Sequence, residues 1–322
     1  MRIRTGAAVA AILWASALGA QEGAPPAVLA AAGAGTAQAP PASVEDPGKG
    51  PVPANLETPA APRPWLAPTG SLVVNLPSDQ ALSRGLLQFL VTHRFRSPVR
   101  GSNAHELYSL DSGSDFGFGF AYAPIERGEV SLYRSGLQDD WELAAKYAFV
   151  PRGHTFGAAL RVGGNDRRDP VTITPSGGQL PAGEAQTSFF AQGILSLHAW
   201  DNRVEFSAVP AYSSETTAER HAFNVAVHGA VALGRSWNLQ GEYQPQRRGV
   251  PDSIGIWTIG LEKTLYRHRF TMVISNTTVT TVDQYLSGDF AVAKKRQARQ
   301  FPNGFKNDDW HIGFNLVRQF KP

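Results

Sequence analysis

The sequence predicts an all-β fold, an antiparallel transmembrane β-barrel of about 12 strands that follows a disordered N-terminal segment. The first observation is the alternation in residues 115–123, where large aromatic side chains at every second position are separated by glycine or alanine. Because side chains on a strand point to alternate faces, one face is apolar and the other is almost bare backbone. Two further observations are that period-two segments recur along the chain, and that short and generally longer connections alternate between them. Membrane barrels have this pattern of short periplasmic turns and longer outer loops.

The N-terminal 64 residues are expected to lie outside the barrel. Residues 1–20 predict a cleaved signal peptide, with Arg2 and Arg4 before an apolar run and small residues at its end. That run is shorter than the roughly 20 apolar residues of a transmembrane helix. Residues 21–64 hold ten prolines, many alanines and almost no large apolar side chains, which predicts a disordered Ala/Pro-rich periplasmic tether. The β-barrel domain is therefore expected over residues 65–322.

Twelve strands are predicted from alternating polarity and from the turn residues between the segments. A strand of about 11 residues is roughly 36 Å long, and a tilt near 40° projects it to roughly 28 Å, close to the ~25 Å apolar band of an outer-membrane barrel. A soluble periplasmic β-sandwich is the alternative fold. The predicted spans are 86–96, 115–124, 128–135, 139–149, 154–163, 187–200, 203–213, 221–233, 236–246, 253–265, 267–278 and 309–320.

The last predicted strand alternates apolar and polar residues from Trp310 to Phe320, with Arg318 as an exception on the apolar face. A terminal strand that ends in an aromatic residue resembles the signal that the barrel-assembly machinery of the outer membrane recognises. We therefore expect export by a cleaved signal peptide, insertion into the bacterial cell outer membrane, and contact with outer-membrane lipid.

Composition excludes several classes of function. The chain has no cysteine, which excludes disulfides, thiolate metal sites and cysteine nucleophiles. The net charge of +3 is small for 322 residues and the basic residues are mostly dispersed, which argues against nucleic-acid binding. The histidines show no metal-ligand spacing, and no nucleophile motif is found, so we predict no enzyme, no catalytic residue, no metal and no cofactor. A surface hydrolase using Asp139, Asp140 and His105 near the outer loops is an alternative.

Eight short segments carry a resemblance to a known family. They are residues 75–78, 87–95, 110–113, 130–135, 142–147, 262–264, 281–285 and 314–319. On these segments the chain resembles the domain-of-unknown-function family numbered 5777, an uncharacterised family of bacterial outer-membrane β-barrels, over roughly residues 70–320. The resemblance implies a barrel and an exported location, and it brings no activity or catalytic residue.

The faces opposite the aromatic stripes are predicted to line the lumen. Five cationic and four anionic side chains lie on these faces. Such a near balance fits a closed interior in which the charges pair, and it also fits a water-filled path with weak charge selectivity. Twelve strands lie between filled and open barrels, so size does not decide. The nine predicted lumen-lining residues are Arg94, Glu142, Lys146, Arg161, Arg203, Glu205, Glu242, Glu262 and Arg269.

Two long connections are predicted to reach the barrel mouth, residues 164–186 and 279–308. Connections above about 15 residues are often functional or disordered. Within the second, residues 281–286 are a candidate short helix or constriction, or part of a surface loop. The function expected from these features is a narrow channel or a solute-binding barrel for small polar molecules. A structural or partner-recruiting plugged barrel is the second hypothesis, and the surface hydrolase is the third.

Overall fold

The computed structural model describes residues 71–99, 102–111, 113–168, 186–217, 221–245, 253–286, 289–290 and 310–321. The predicted signal peptide and tether, and residues 169–185 of the first long connection, lie outside these ranges. The described chain forms one closed antiparallel barrel of twelve strands, which confirms the predicted architecture.

Each barrel strand pairs with the next one along the chain, and the last strand pairs with the first to close the barrel. Two further short strands form a separate two-stranded sheet. The barrel strands are β1 (Leu87–Phe95), β2 (Ser114–Ile125), β3 (Gly128–Ser135), β4 (Asp140–Ala148), β5 (Phe156–Arg167), β6 (Gln186–Ala199), β7 (Val204–Ser213), β8 (Ala222–Ala232), β9 (Trp237–Gln244), β11 (Ile256–Leu265), β12 (His268–Ser275) and β14 (His311–Phe320), and the separate pair is β10 (Ser253–Ile254) with β13 (Asp289–Phe290).

In the described part of the chain, the helical elements lie in connections between barrel strands. They are the 3-10 helices Ala104–Ser109 and Leu137–Asp139 and the α-helix Val282–Leu286, called α1 here. Among the residues that the structure describes, no helix is long and apolar enough to cross a membrane.

Two predicted strands have wrong bounds, and in both cases the structure differs from the prediction at a glycine. The span 253–265 is two strands, because the chain leaves the barrel sheet at Gly255, whose carbonyl accepts a hydrogen bond from Asn276 Nδ2 at 2.7 Å. Strand β5 continues through Gly163 and Gly164 instead of ending there. At Gly163 the ring of Phe190 occupies the space that a side chain would need, so this glycine serves packing and does not end the strand.

The alternation in β2 follows from what lies on its two faces. Phe116, Phe120 and Tyr122 are exposed on the outside of the barrel. On the inside, the ring of Tyr133 from β3 lies against Gly117 and Gly119, and a Cβ at Gly119 would be 2.9 Å from Tyr133 Cδ2. The small residues therefore leave the space that an inward-facing aromatic ring from the neighbouring strand fills.

The first barrel strand starts and the last one finishes at the same end of the barrel, because Leu87 at the start of β1 pairs with Phe320 at the end of β14. The short turns β2–β3, β4–β5, β6–β7, β8–β9 and β11–β12 are at this end, called the short-turn end. The other connections, most of them longer, are at the opposite, long-loop end.

Candidate functional site: a lumen with two plugs

Residues 71–82, called the N-terminal plug, lie inside the barrel ahead of β1. All but Leu72 and Asn75 are buried. The segment folds back on itself: Val73 N–H donates to Leu76 O at 2.9 Å, and Ser78 N–H donates to Ser71 O at 3.1 Å. Sequence reasoning placed these residues in the barrel domain without a role. The signal available was a short apolar run broken by Asn75 and Pro77, which favours a turn over a strand.

The tip of the N-terminal plug is held by Glu242 on β9. Its carboxylate accepts hydrogen bonds from the consecutive amides of Val74, Asn75 and Leu76 at 2.8, 2.8 and 2.9 Å. Successive amides that converge on one anion form a backbone nest. A carboxylate buried in the lumen is thereby satisfied by main-chain donors of the plug.

The base of the N-terminal plug is held by Lys146 on β4 and Glu129 on β3. Lys146 Nζ donates to Ser71 O at 2.8 Å and to Gln80 O at 2.7 Å. Glu129 accepts from the Ser71 hydroxyl and from Leu82 N–H, the latter at 3.0 Å. The two wall residues also pair with each other, with 3.5 Å between Nζ and Oε1. Both ends of the plug therefore meet at Glu129, close to the short-turn end.

Side chains of the plug make fewer contacts with the wall. Arg94 donates to Asn75 Oδ1 at 3.0 Å, and His198 Nε2 donates to Asp79 Oδ2 at 3.0 Å. Burial alone would raise the pKa of Asp79, but the hydrogen bond and the positive charge of His198 outweigh burial and hold that pKa below its usual value.

A second segment, residues 276–286, enters the lumen from the long-loop end and is called the loop plug. It contains α1, whose five residues are all buried. Val282 N–H donates to Glu142 Oε2 at 2.9 Å, and the Thr281 hydroxyl donates to Asp140 Oδ2 at 2.6 Å. Of the alternatives left open for residues 281–286, the structure shows a short buried helix and not a surface loop.

Two titratable groups of the loop plug are deeply buried. Asp283 forms an ion pair with Arg167 at 2.8 Å, and the Tyr285 hydroxyl accepts from Gln192 Nε2 at 2.6 Å. Burial raises the pKa of Asp283 although Arg167 acts against it, and burial also raises the pKa of the Tyr285 phenol. The helix is thus docked by specific polar contacts that are buried inside the barrel.

The interior has an apolar side and a polar side. On the apolar side, Leu286 and Leu76 pack in one cluster with Ile194 and Val209 of β6 and β7. On the polar side, a cavity of about 50 Å³ is lined by both plugs and by wall residues including Thr92, Tyr133, Lys146 and Arg161. A water needs roughly 10–15 Å³, so the ~50 Å³ cavity has room for about three to five waters.

The sequence matches, over residues 69–320, the family described as a membrane bound beta barrel domain, which is the resembled family numbered 5777. The chain belongs to this family. A search of the curated proteins found no match.

Several solved outer-membrane structures resemble this membrane-bound barrel at low identity. The COG4313 outer membrane channel from Pseudomonas putida F1 is 11% identical, with 74% of this chain and 97% of that chain covered and a TM-score of 0.44. Outer membrane phospholipase A from Escherichia coli is 10% identical, with 72% and 92% covered and a TM-score of 0.39. LpxR from Salmonella typhimurium is 8% identical, with 73% and 99% covered and a TM-score of 0.34.

Eight of the nine predicted lumen residues lie on the inner wall of this membrane-bound barrel, most of them in pairs or bonded to a plug. Arg161 pairs with Glu142 at 2.5 Å. Arg269 pairs with Glu262 at 2.6 Å. The inward-facing residues are Arg94, Glu142, Lys146, Arg161, Glu205, Glu242, Glu262 and Arg269.

The prediction for Arg203 is wrong. This residue lies in the turn between β6 and β7, one position before β7 begins, and it is exposed. The alternation of β7 places Glu205 inside, but the strand does not extend back to Arg203. A side chain in a turn points to solvent at the barrel end and does not line the lumen.

Sequence reasoning missed several lumen residues. Glu129 and Tyr133 on β3 face inward, opposite the exposed Val130 and Leu132, so alternation along β3 could have found them. Asp79 belongs to the N-terminal plug and Asp283 to the loop plug, and no local sequence pattern predicts that these segments dock in the lumen. Arg167 was missed because β5 was expected to end before it.

The hydrolase candidates are not assembled into one site. Asp139 pairs with Arg134, Asp140 points into the lumen and bonds the loop plug, and His105 is exposed on the 3-10 helix of the first long connection. Within the described ranges, no group of three or more His, Asp and Glu residues is arranged to hold a metal ion.

Proposed function

We propose that this chain is a non-enzymatic outer-membrane channel for small polar solutes, closed in the described state, with the N-terminal plug as its gate. The observation that carries the proposal is the chemistry of the wall around the plug. Glu242, Lys146, Glu129 and Arg94 hold it through hydrogen bonds and charge. Because water can replace such contacts, withdrawal of the plug would leave a wall that hydrates readily.

The path of the plug supports withdrawal as a single motion. Its two ends meet at Glu129 near the short-turn end, and its tip reaches inward to Glu242. A segment that enters and leaves at the same end can retract without threading through the barrel and without breaking a barrel strand. In outer-membrane barrels the short turns are periplasmic, so retraction would be toward the periplasm.

The outside of the barrel supports the location. Aromatic and aliphatic side chains such as Phe206, Phe223 and Leu239 are exposed on the outer face, where lipid would cover them. Outer-membrane lipid and the barrel-assembly machinery are accordingly the partners that we propose. The solute itself is a small polar molecule.

A structural plugged barrel is the second candidate, and the loop plug favours it. Leu286 packs into the apolar cluster, and the Arg167–Asp283 pair is fully buried. These contacts resemble those of a folded core more than those of a gate. In the channel proposal the loop plug stays in place, and solutes pass along the polar side of the lumen.

A disulfide lock tests whether the N-terminal plug gates a channel. A Cβ at position 260 would lie 2.9 Å from Val74 Cγ2, so cysteines at both positions are close enough to bond. The chain has no other cysteine. In planar bilayers, the oxidised Val74→Cys/Gly260→Cys variant should show no opening steps, and reduction should restore those of the unmodified protein. The Val74→Cys variant, which cannot form the lock, should not respond to oxidation.

A variant that lacks residues 71–82 completes the test. If its barrel is folded, as judged by a heat-modifiability gel, it should conduct more than the full chain. Absence of conductance in both folded proteins would contradict the channel proposal and favour the structural barrel. Equal conductance of the oxidised and reduced lock variants would show that the plug is not the gate.

A further inference from the structure

The wall recognises the N-terminal plug mainly through main-chain atoms. Glu242 binds three backbone amides, and Lys146 binds two backbone carbonyls in good geometry. Asn315 Nδ2 donates to the carbonyl of Val74 at 2.9 Å, and Arg152 in the β4–β5 turn donates to the carbonyl of Ala81. The interior is therefore complementary to peptide groups.

Glu242 loses hydrogen-bond donors when the plug is absent. Within the described part of the chain, all the hydrogen bonds that its carboxylate accepts come from the plug. When the plug withdraws, water or a cation must replace these donors, because a carboxylate inside a protein is costly without partners. An ammonium group of a solute would supply both hydrogen-bond donors and a positive charge.

Lys146 lies close enough to Glu242 for one short peptide to contact both residues. Lys146 contacts Ser71, whereas Glu242 contacts residues 74–76. Three residues of extended chain span at most about 11 Å, and the folded plug brings these contacts nearer than that. A peptide of two or three residues could place its α-ammonium at Glu242 and its carboxylate at Lys146.

On the basis of the proposed channel function, we infer that the lumen selects short zwitterionic peptides as its solutes. Glu242 binds the ammonium end and Lys146 the carboxylate end. Selection acts on the peptide main chain and termini, since most of the described hydrogen bonds between the wall and the plug involve main-chain atoms of the plug. Uncharged solutes of the same size gain neither contact.

Liposome swelling tests this inference with triglycine and galactose, two solutes of similar mass. Liposomes carrying the variant without residues 71–82 should take up triglycine several-fold faster than galactose. Adding Glu242→Gln should bring the ratio of the two rates close to one. Adding Glu126→Gln, which neutralises an exposed carboxylate in the β2–β3 turn, should leave the ratio unchanged.

The outcomes separate the two proposals. Uptake of neither solute by a folded barrel contradicts the channel function itself. Uptake of both at equal rates, or a ratio insensitive to Glu242→Gln, overturns peptide selection and leaves the channel in place. If the deletion variant does not fold, the full-length Asn75→Ala/Asp79→Ala variant loosens the plug by removing its contacts to Arg94 and His198, and the same comparison applies.

Discussion

Arg167 on β5 and Asp283 on α1 form an ion pair in which both side chains are completely buried, with Nε 2.8 Å from Oδ2. The pair joins the long-loop end of the wall to the loop plug. Next to it, Asp140 accepts hydrogen bonds from Thr281 and Gln284 of the same plug. Charge pairing at this position therefore contributes to the docking of the loop plug.

Arg167→Met should release the loop plug from the wall. Removing one partner of a buried pair leaves an uncompensated charge and typically costs about 3–5 kcal/mol. We expect a loss of that size in the docking free energy of α1, measured by hydrogen exchange of the amides of residues 282–286. The double variant Arg167→Met/Asp283→Leu should lose less, because no lone charge remains. Equal losses in the single and double variants would contradict this account.

The barrel could be predicted because its signal is local. Alternation in β2 or β7 is readable within ten or so residues, and antiparallel pairing of neighbours follows from short turns. The N-terminal plug has no such signal. Val74 bonds Glu242 and Asn315, which are 168 and 241 positions away in the sequence, and no period in residues 71–82 indicates those partners.

The sequence predicted many of the charged residues that face the lumen, but it did not predict what each of them contacts. The near-equal numbers of cationic and anionic residues fitted two interiors, one in which the charges pair and one that is filled with water. The structure shows wall pairs such as Arg161 with Glu142, and it also shows Glu242, whose described hydrogen bonds all come from plug amides. Whether a wall charge meets another charge or a backbone segment depends on tertiary docking, which composition does not encode.

Two adjacent substitutions on β2 should act on opposite faces. Phe118 packs outside against Trp141, with ring centroids 6.3 Å apart, whereas Gly119 faces Tyr133 inside. Phe118→Arg should impair membrane insertion, at a cost of roughly 2–4 kcal/mol near the midplane. The measurement is the folded fraction in lipid vesicles across a urea series.

Gly119→Arg should insert with less impairment but crowd the lumen. A Cβ at this position already lies 3.0 Å from Leu132 O and 2.9 Å from Tyr133 Cδ2, so the longer side chain must displace that ring. Loss of the Tyr133 to Thr280 hydrogen bond, which is 3.0 Å long, should then expose the loop plug to hydrogen exchange. If both variants insert and exchange alike, the assignment of the two faces is wrong.

Docking of the N-terminal plug should depend on pH through Asp79. Burial raises the pKa of Asp79, but the hydrogen bond and charge of His198, helped by Gln80 and Lys146, outweigh burial and lower that pKa below the usual value. A carboxyl group with a lowered folded-state pKa stabilises above its unfolded pKa of about 4 and loses that contribution as the pH falls through the folded value. Asp79→Asn removes the charge at every pH. The unmodified plug should therefore be docked more strongly than the variant near neutral pH, and the difference should shrink below about pH 4.

Hydrogen exchange of the amides of residues 73–82, corrected for intrinsic rates, gives the docking free energy at each pH. The carboxylates of Glu129 and Glu242 at the plug are present in both proteins, so the difference between the two proteins reports the Asp79–His198 pair. Asp111→Asn, at an exposed loop position, should match the unmodified protein throughout. A difference between the unmodified protein and Asp79→Asn that persists unchanged down to about pH 3 would mean that the contact with His198 does not depend on the Asp79 charge.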